Sequence, residues 1–116
     1  MARERFLVVY AGPRQREVMF LRGRTFLIGR APECDLRLVD AYASRHHCLL
    51  EQAGDEWRVR DLGSRNGTWV GERRVTKPTP LAPGTVLRVG RTYVLYADPT
   101  TVGADELDVP PVPGAQ

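Results

Sequence analysis

The chain has few of the features that define secreted or membrane proteins. Its 116 residues contain only two cysteines, Cys34 and Cys48, which are too few for a disulfide framework and are expected to be buried, reduced thiols. No segment approaches the length of a membrane span, and the apolar run 6–11 is too short for a signal-peptide core. These absences predict a cytoplasmic protein with no membrane association.

A metal or cofactor site is not expected either. Cys34, His46, His47 and Cys48 are the residues that could be assembled into a metal site, but three of them are consecutive. Consecutive residues of an extended strand point alternately to opposite faces, so they cannot converge on one ion. The sequence therefore predicts neither a metal nor a cofactor.

Lysine is nearly absent, and the acidic residues are unevenly distributed. Of the 17 basic residues 16 are arginine, a side chain suited to planar, two-pronged contact with phosphate or carboxylate. Residues 98–116 carry four acids and no basic residue, so residues 1–97 carry 10 acids and all 17 basic residues, a net charge of +7. This basic body suggests an anionic partner, although a high-GC genome would also enrich arginine without any function.

Short apolar runs separated by turn signals extend from residue 5 to residue 97, and no convincing helix interrupts them. Trp57 and Val59 alternate with Arg58 and Arg60, the two-residue period of a half-buried strand. Ten strands are predicted, at residues 6–11, 17–21, 25–29, 35–38, 46–52, 56–62, 68–70, 73–75, 85–89 and 92–97. So many short strands in one small domain predict an all-β fold, a sandwich of two sheets.

The connections divide the chain into a body and a tail. Residues 53–55 suit a three-residue hairpin and residues 90–91 a two-residue one, whereas the longer connections at 30–34, 39–45 and 62–67 have room for a binding site. Residues 1–97 are predicted to form one domain. Residues 98–116, with four prolines and no basic side chain, are predicted to be a flexible acidic tail or a linker.

Three of these connections carry polar residues that a simple turn does not need. They read GR at 29–30, SRHH at 44–47 and DLGSRNGT at 61–68. Each has an ordinary interpretation, with Arg30 as a solvated charge, Ser44 as a turn residue and Asn66-Gly67 as a hairpin signal. For each motif alone, the ordinary interpretation is favoured. It does not explain why all three motifs occur together, in this order, in an all-β sequence.

The three motifs resemble the signature of the forkhead-associated (FHA) domain, and the strand-like segments around them cover the whole of residues 5–97. The resemblance is to a small single-domain member of bacterial type. It implies an eleven-stranded sandwich whose loops at one end bind a phosphothreonine-containing protein or peptide. A serine/threonine protein kinase acting upstream would then phosphorylate the threonine that this domain recognises in signalling.

The resemblance also implies roles for individual residues. The phosphopeptide-binding residues would be Arg30, Ser44, Arg45, Ser64, Arg65 and Asn66. Arg30 and Ser44 would contact the phosphate, Arg45 occupies the position of a frequent second phosphate contact, and Asn66 would bind the peptide main chain. Ser64 and Arg65 lie in the loop that would close over the phosphate. The residues expected to support these loops are Gly29, His47 and Gly67.

Two other functions remain open from the residues alone. A basic nucleic-acid-binding β domain is the main alternative, although the arginines are scattered and no aromatic residues alternate with them as in single-strand platforms. An enzyme could be built from Ser44, His47 and Asp61, but Ser44 lacks a G-x-S-x-G setting and no P-loop is present. We therefore expect no catalysis.

The tail contains two candidate regulatory phosphosites. Thr100 and Thr101, if phosphorylated, could enter the phosphopeptide site of the same chain or of a neighbour, helped by the high effective concentration of a tethered ligand. Two adjacent threonines in a proline-containing tail are also typical of a plain linker.

Overall fold

The chain folds as two packed β-sheets, as the computed structural model shows for residues 4–12 and 15–101. These residues form eleven strands and no helix, so none of their segments is a helix that could cross a membrane. The strands are β1 (Phe6–Gly12), β2 (Gln15–Phe20), β3 (Thr25–Gly29), β4 (Leu36–Arg37), β5 (Cys48–Ala53), β6 (Glu56–Asp61), β7 (Thr68–Val70), β8 (Arg73–Arg74), β9 (Thr79–Leu81), β10 (Val86–Val89) and β11 (Thr92–Ala97). The predicted all-β sandwich is confirmed.

One sheet has six strands in the order β2-β1-β11-β10-β7-β8, and the other has five in the order β4-β3-β5-β6-β9. Neighbouring strands are antiparallel except β3 and β4, which are parallel. The inner faces supply the core, with Leu7 and Leu87 from the first sheet and Leu50 and Val59 from the second all fully buried. Burying each such side chain contributes roughly 1.5–3 kcal/mol, which holds the sheets together.

Strand β6 shows how the sequence pattern becomes a sheet face. Trp57 and Val59 point into the core and are 4% and 0% exposed, while Arg58 and Arg60 between them are exposed. The alternation predicted from the sequence is therefore confirmed. Strand β9 was not predicted, because Pro80 within it cannot donate to a ladder; the strand is tolerated because it forms the edge of its sheet.

Two predicted turns differ from the observed ones. Ala53 pairs directly with Glu56, so the β5–β6 hairpin has a two-residue loop rather than the expected three. Asn66-Gly67 is not a hairpin, because β6 and β7 belong to different sheets and the segment between them crosses from one to the other. Gly67 still needs its glycine, since its φ is 85°.

Strand β11 runs from the loop-rich end of the sandwich to the opposite end. There Arg5 donates through Nε to the Tyr96 hydroxyl at 2.9 Å, and its Nη1 lies 3.8 Å from the Asp98 carboxylate. Asp98 in turn accepts hydrogen bonds from the hydroxyls of Thr100 and Thr101. The remainder of the predicted tail, residues 102–116, lies outside the described residues.

Candidate functional site

The three motif-bearing loops meet at one end of the sandwich and are joined by direct hydrogen bonds. The Arg30 N–H donates to the Ser44 carbonyl at 3.0 Å, which joins the β3–β4 loop to the β4–β5 loop. The Arg65 N–H donates to Ser44 Oγ at 2.9 Å, and Asn66 Nδ2 donates to the Tyr42 carbonyl at 2.8 Å. The β6–β7 loop is thereby attached to the same segment.

These loops surround an open depression of about 340 Å³. Its lining residues are Arg30, Ala41, Tyr42, Ala43, Ser44, Arg65 and Asn66. Four of the six predicted binding residues are therefore brought together around one space. Arg45 and Ser64, the other two, do not line it.

Arg30 is held at this depression by its own backbone and by the inner part of its side chain. Its Nε donates to the Ala43 carbonyl at 2.6 Å, which fixes the plane of the guanidinium and leaves the terminal nitrogens as donors. The preceding Gly29 is required by close approach, because a Cβ there would lie 2.0 Å from the Arg45 carbonyl oxygen. Glycine thus lets the strand end directly against the β4–β5 loop.

Ser44 is the residue through which the loops are joined. Its carbonyl accepts the Arg30 N–H, its Oγ accepts the Arg65 N–H, and its own N–H donates to His47 Nδ1 at 2.9 Å. Because Oγ acts as an acceptor for Arg65, its hydroxyl proton is left to donate to a ligand at the depression.

His47 is wholly buried and connects two of the loops from below. Its Nδ1 accepts the Ser44 N–H, and its Nε2 lies 2.8 Å from the Gly67 carbonyl, so the ring is neutral with its proton on Nε2. Burial lowers the pKa of His47, and the hydrogen bond to Gly67 and the nearby Asp61 charge only partly offset that effect. These contacts fit the supporting role expected of His47 and Gly67.

Asp61 organises the β6–β7 loop. One carboxylate oxygen accepts the hydroxyls of Ser64 and Thr68, and the other accepts the N–H groups of Gly63 and Ser64. Burial raises the pKa of Asp61, but these hydrogen bonds, led by that from the Ser64 hydroxyl, outweigh it and hold the pKa below its usual value. The Ser64 side chain, only 7% exposed, is therefore engaged within the loop.

A catalytic triad is not assembled from the three residues that could have formed one. His47 meets the backbone N–H of Ser44 rather than its hydroxyl, and its other ring nitrogen is bonded to Gly67. The Asp61 carboxylate is bonded to its own loop and to Thr68. His47 has no nitrogen left to accept the Ser44 hydroxyl proton.

The sequence did not reveal the contacts that hold Tyr42, one of the lining residues, in place. The Arg91 guanidinium lies 3.9 Å from the centre of the Tyr42 ring and donates to its hydroxyl at 2.8 Å. Asp40 ties these segments together by accepting the Arg91 N–H at 2.7 Å and the Thr92 hydroxyl at 2.8 Å. Tyr42 lies in the predicted 39–45 loop, but its pairing with a residue 49 positions away has no local signal.

A two-sheet sandwich that gathers an anchored arginine, a serine hydroxyl and loop amides at one end defines a loop-based anion-recognition domain. Residues 26–90 match the family model described as the FHA domain. The chain belongs to the FHA-domain family, and the resemblance drawn from its three motifs is confirmed.

Relatives and solved structures agree with this assignment. The FHA domain-containing protein FhaB of Mycobacterium tuberculosis is 41% identical over 90 residues, which are 78% of this chain and 58% of that protein. A domain solved in a structural and functional analysis of phosphothreonine-dependent FHA domain interactions superposes with a TM-score of 0.71 at 28% identity, covering 79% of this chain and 95% of the other. Mycobacterium tuberculosis EmbR, solved with a low-affinity phosphopeptide, gives 0.76 at 25% identity and covers 83% and 24%. The chain thus spans less than two thirds of the curated relative's length.

Proposed function

We propose that this chain is a phosphothreonine-dependent protein–protein interaction module that reads serine/threonine kinase signalling in the cytoplasm. The observation that carries the proposal is that two side chains with available hydrogen-bond donors lie at the same depression. Arg30 is anchored through Nε with its terminal nitrogens left over, and Ser44 retains its hydroxyl proton. A phosphorylated threonine brings about −1.5 to −2 charges and three acceptor oxygens, which such donors match.

The other residues of the site would act around this pair. Asn66 would contact the peptide main chain and Arg65 would cover the phosphate from the adjoining loop, since both line the depression. Arg45 is exposed beside it and would approach a bound phosphate from the rim. Ser64 would contribute through the shape of its loop, because its hydroxyl is donated to Asp61. We assign these roles to a binding domain of residues 1–97.

The module would bind without catalysing a reaction. Ser44 has no partner that could act as a base, as His47 is fully engaged, so the phosphate would be read and not removed. The mark would be written by a separate kinase. The family assignment favours a phosphopeptide over nucleic acid as the anionic ligand, although the net charge of +7 over residues 1–97 is compatible with either.

Thr100 and Thr101 remain candidate phosphosites, and their position restricts how they could act. They follow β11, whose far end lies away from the loop depression, and their hydroxyls are bonded to Asp98. A phosphate on either residue would therefore reach the site of a second molecule more easily than its own. Replacing both by alanine should remove any kinase-dependent self-association, measured by light scattering after kinase treatment.

Calorimetry with one matched peptide set tests the function. Phosphothreonine, phosphoserine and unmodified threonine peptides in a degenerate background would be titrated into wild type, Arg30→Ala and Arg58→Ala. Arg58 is an exposed arginine on the outer face of the five-stranded sheet, so it controls for loss of charge alone. Each hydrogen bond to a charged group contributes roughly 1.5–3 kcal/mol, so Arg30→Ala should weaken binding by about 100-fold or more.

The same titrations can contradict the proposal. We expect micromolar binding of the phosphothreonine peptide, weaker binding of phosphoserine and none of the unmodified peptide. A methyl group in an apolar niche decides only ~1–3 kcal/mol, so the preference for threonine should be marked without being absolute. Equal binding of phosphorylated and unmodified peptides, or equal losses in Arg30→Ala and Arg58→Ala, would overturn it. Salt-sensitive binding of single-stranded DNA that survives Arg30→Ala would support the alternative.

A further inference from the structure

A second and larger concavity lies on the outer face of the six-stranded sheet, away from the core. It has a volume of about 510 Å³ and is lined by Trp69, Gly71, Glu72, Val86, Arg88 and Tyr93. The neighbours of these residues along the strands, such as Leu87 and Val94, belong to the core between the sheets. Since successive strand residues alternate in direction, the groove faces outward and takes no part in holding the sheets together.

The groove combines aromatic walls with charged side chains. Arg88 and Glu72 line it, and Arg74 lies on the strand next to Trp69, so two basic residues face one acidic residue around it. The Arg88 guanidinium lies 5.0 Å from the centre of the Trp69 ring, and Trp69 pairs across the β7–β8 hairpin with Arg74. Tyr93 faces Arg88 from the next strand. An aromatic ring beside a guanidinium is suited to an extended segment that carries both proline rings and carboxylates.

Beyond the groove the same face remains apolar. Val8 and Leu95 pair across β1 and β11 and are 2% and 1% exposed, covered by partly buried neighbours. Val18 and Phe20 on the outermost strand are 49% and 47% exposed. The outer face of this sheet therefore carries a second apolar cluster, separate from the core. Its side chains become exposed at the β2 edge, and the charged residues lie at the groove.

The sequence after Thr101 has the complementary composition. Residues 102–116 contain three acids, Asp105, Glu106 and Asp108, and no basic residue. They also contain the run PPVP at 110–113, in which Pro110 and Pro113 are three residues apart. That spacing places both rings on one side of a polyproline II helix, the conformation that aromatic-lined grooves bind.

The chain also leaves the sheet at a point from which the groove can be reached. Tyr93 at the groove and Ala97 at the end of β11 are four residues apart, ~13 Å along the strand. The eight residues 102–109 span up to ~26 Å when extended, so the run of prolines can turn back over the face and reach Trp69. Tethering supplies a high effective concentration, so even a weak contact would be occupied.

We propose that residues 105–113 of this chain dock in the outer-face groove. The carboxylates of Asp105, Glu106 and Asp108 face Arg88 and Arg74, and the proline rings pack against Trp69 and Tyr93. The interaction lies on a different face from the phosphopeptide loops and does not depend on the function proposed for them.

Paramagnetic broadening in the full chain tests the docking. A nitroxide attached at Ala115→Cys reacts at the new thiol, because Cys34 and Cys48 are both buried. We expect broadening of the amide signals of Trp69, Arg88 and Tyr93 and no broadening of Arg58 on the other sheet. Raising the salt concentration should weaken the broadening, because carboxylate–guanidinium attraction at a surface is screened.

Matched variants separate docking from random encounters of the tail. Arg88→Glu should abolish the broadening, and the same reversal at Arg58 should leave it intact. Replacing the three acids by asparagine should abolish it too, without altering the folded domain, whose amide spectrum reports that it remains folded. An independent change, Pro110→Ala with Pro113→Ala, tests the proline contacts and should reduce the effect.

Several outcomes would overturn the proposal. Broadening spread evenly over the surface, or concentrated at the loops around Arg30, would mean that the groove is not the docking site. Broadening that appears on an isotope-labelled, spin-label-free chain mixed with a spin-labelled one would assign the groove to a second copy. Broadening at the groove that survives Arg88→Glu and the asparagine replacements would remove the charge complementarity on which the proposal rests.

Discussion

Arg5 and Arg30 lie at opposite ends of the same sandwich, and their side chains have opposite environments. Arg5 is 7% exposed, and its guanidinium is bonded to the Tyr96 hydroxyl and the Glu4 carbonyl and lies near Asp98. Arg30 is exposed and makes one hydrogen bond through Nε to a carbonyl. A buried arginine whose guanidinium bonds to groups of its own chain stabilises the fold. An exposed arginine that is held in one orientation, with its terminal nitrogens still available as donors, is suited to bind a ligand.

The comparison extends to what surrounds each arginine. At the Arg30 end, the buried His47 and the partly buried Asp61 make their hydrogen bonds to loop backbone groups and hydroxyls, so the loops are held in place without a ligand. At the Arg5 end, the polar groups bond to one another. Substitutions at the Arg5 end should therefore change stability, and substitutions at the Arg30 end should change binding. The exception is a substitution that disrupts the loop scaffold itself.

The largest effect is expected where the loop end depends on close backbone approach. Gly29→Ala would place a Cβ 2.0 Å from the Arg45 carbonyl oxygen and 2.8 Å from its carbonyl carbon, so the two loops must separate. We expect the free energy of unfolding to fall by about 3 kcal/mol or more, measured by urea denaturation.

Gly54→Ala is the matched control, since it adds the same methyl group. Gly54 has a φ of 64° but nothing within 4 Å of the added Cβ, so the cost should be the backbone penalty of about 1 kcal/mol. Equal costs for the two changes would mean that the approach of β3 to the β4–β5 loop is not a structural requirement.

Arg5→Ala should lower stability while leaving ligand binding unchanged. Removing Arg5 leaves the Tyr96 hydroxyl without its donor and removes the neighbouring charge from Asp98, which keeps its bonds to Thr100 and Thr101, at a cost of about 2 kcal/mol. Urea denaturation measures the cost, and titration of the folded variant with a phosphothreonine peptide measures binding. A folded Arg5→Ala protein with reduced peptide affinity would show that the two ends are not independent.

Much of this fold could be predicted because its strands and turns depend on short-range sequence patterns. The alternation in β6 and the strands at 25–29, 68–70 and 92–97 follow from side-chain periodicity and turn residues, and the structure confirms them. Strand β9 could not be predicted, because Pro80 is unfavourable in a strand and only its position at a sheet edge makes it acceptable.

The residues of the site also fall into two groups, those that could be predicted from the sequence and those that could not. Arg30, Ser44 and Asn66 could be proposed from the three motifs, because each stands in a loop between recognisable strands. The contact of Arg91 with Tyr42 could not, since it joins residues far apart in the sequence. The inward direction of the Ser64 hydroxyl could not be predicted either, because it depends on where Asp61 points after the loop has formed.

Ser44→Ala should lower binding, and its cost in stability should be smaller than that of Arg5→Ala, because the Arg65 N–H that loses its acceptor is exposed to water. The hydroxyl at Ser44 is the donor proposed for the phosphate, and a hydrogen bond to a charged group contributes about 1.5 kcal/mol at the low end of its range. We expect affinity for the phosphothreonine peptide to fall by roughly 10-fold. An affinity equal to that of the wild type, measured by calorimetry, would remove Ser44 from the phosphate contacts.

The smallest predicted effect concerns pH and again distinguishes the loop end. Burial lowers the pKa of His47 below 6.5 in the folded chain, so on acidification the unfolded chain gains a proton before the folded one does. The contribution of His47 to stability is therefore complete above pH 6.5 and declines as the pH falls from there towards the lowered pKa. A proton on Nδ1 would also oppose the Ser44 N–H that this nitrogen accepts.

Urea denaturation over a pH series measures this dependence, with His47→Gln as the comparison. The variant should be less stable at neutral pH, because it loses a buried ring that joins two loops, but its stability should change less between neutral pH and the acid side of 6.5. Asp61 does not obscure the window, since its own lowered pKa shifts its effect below 3.8. An unchanged pH slope in His47→Gln would show that another group controls the acid response of the loop end, and that His47 is not the titrating link between its loops.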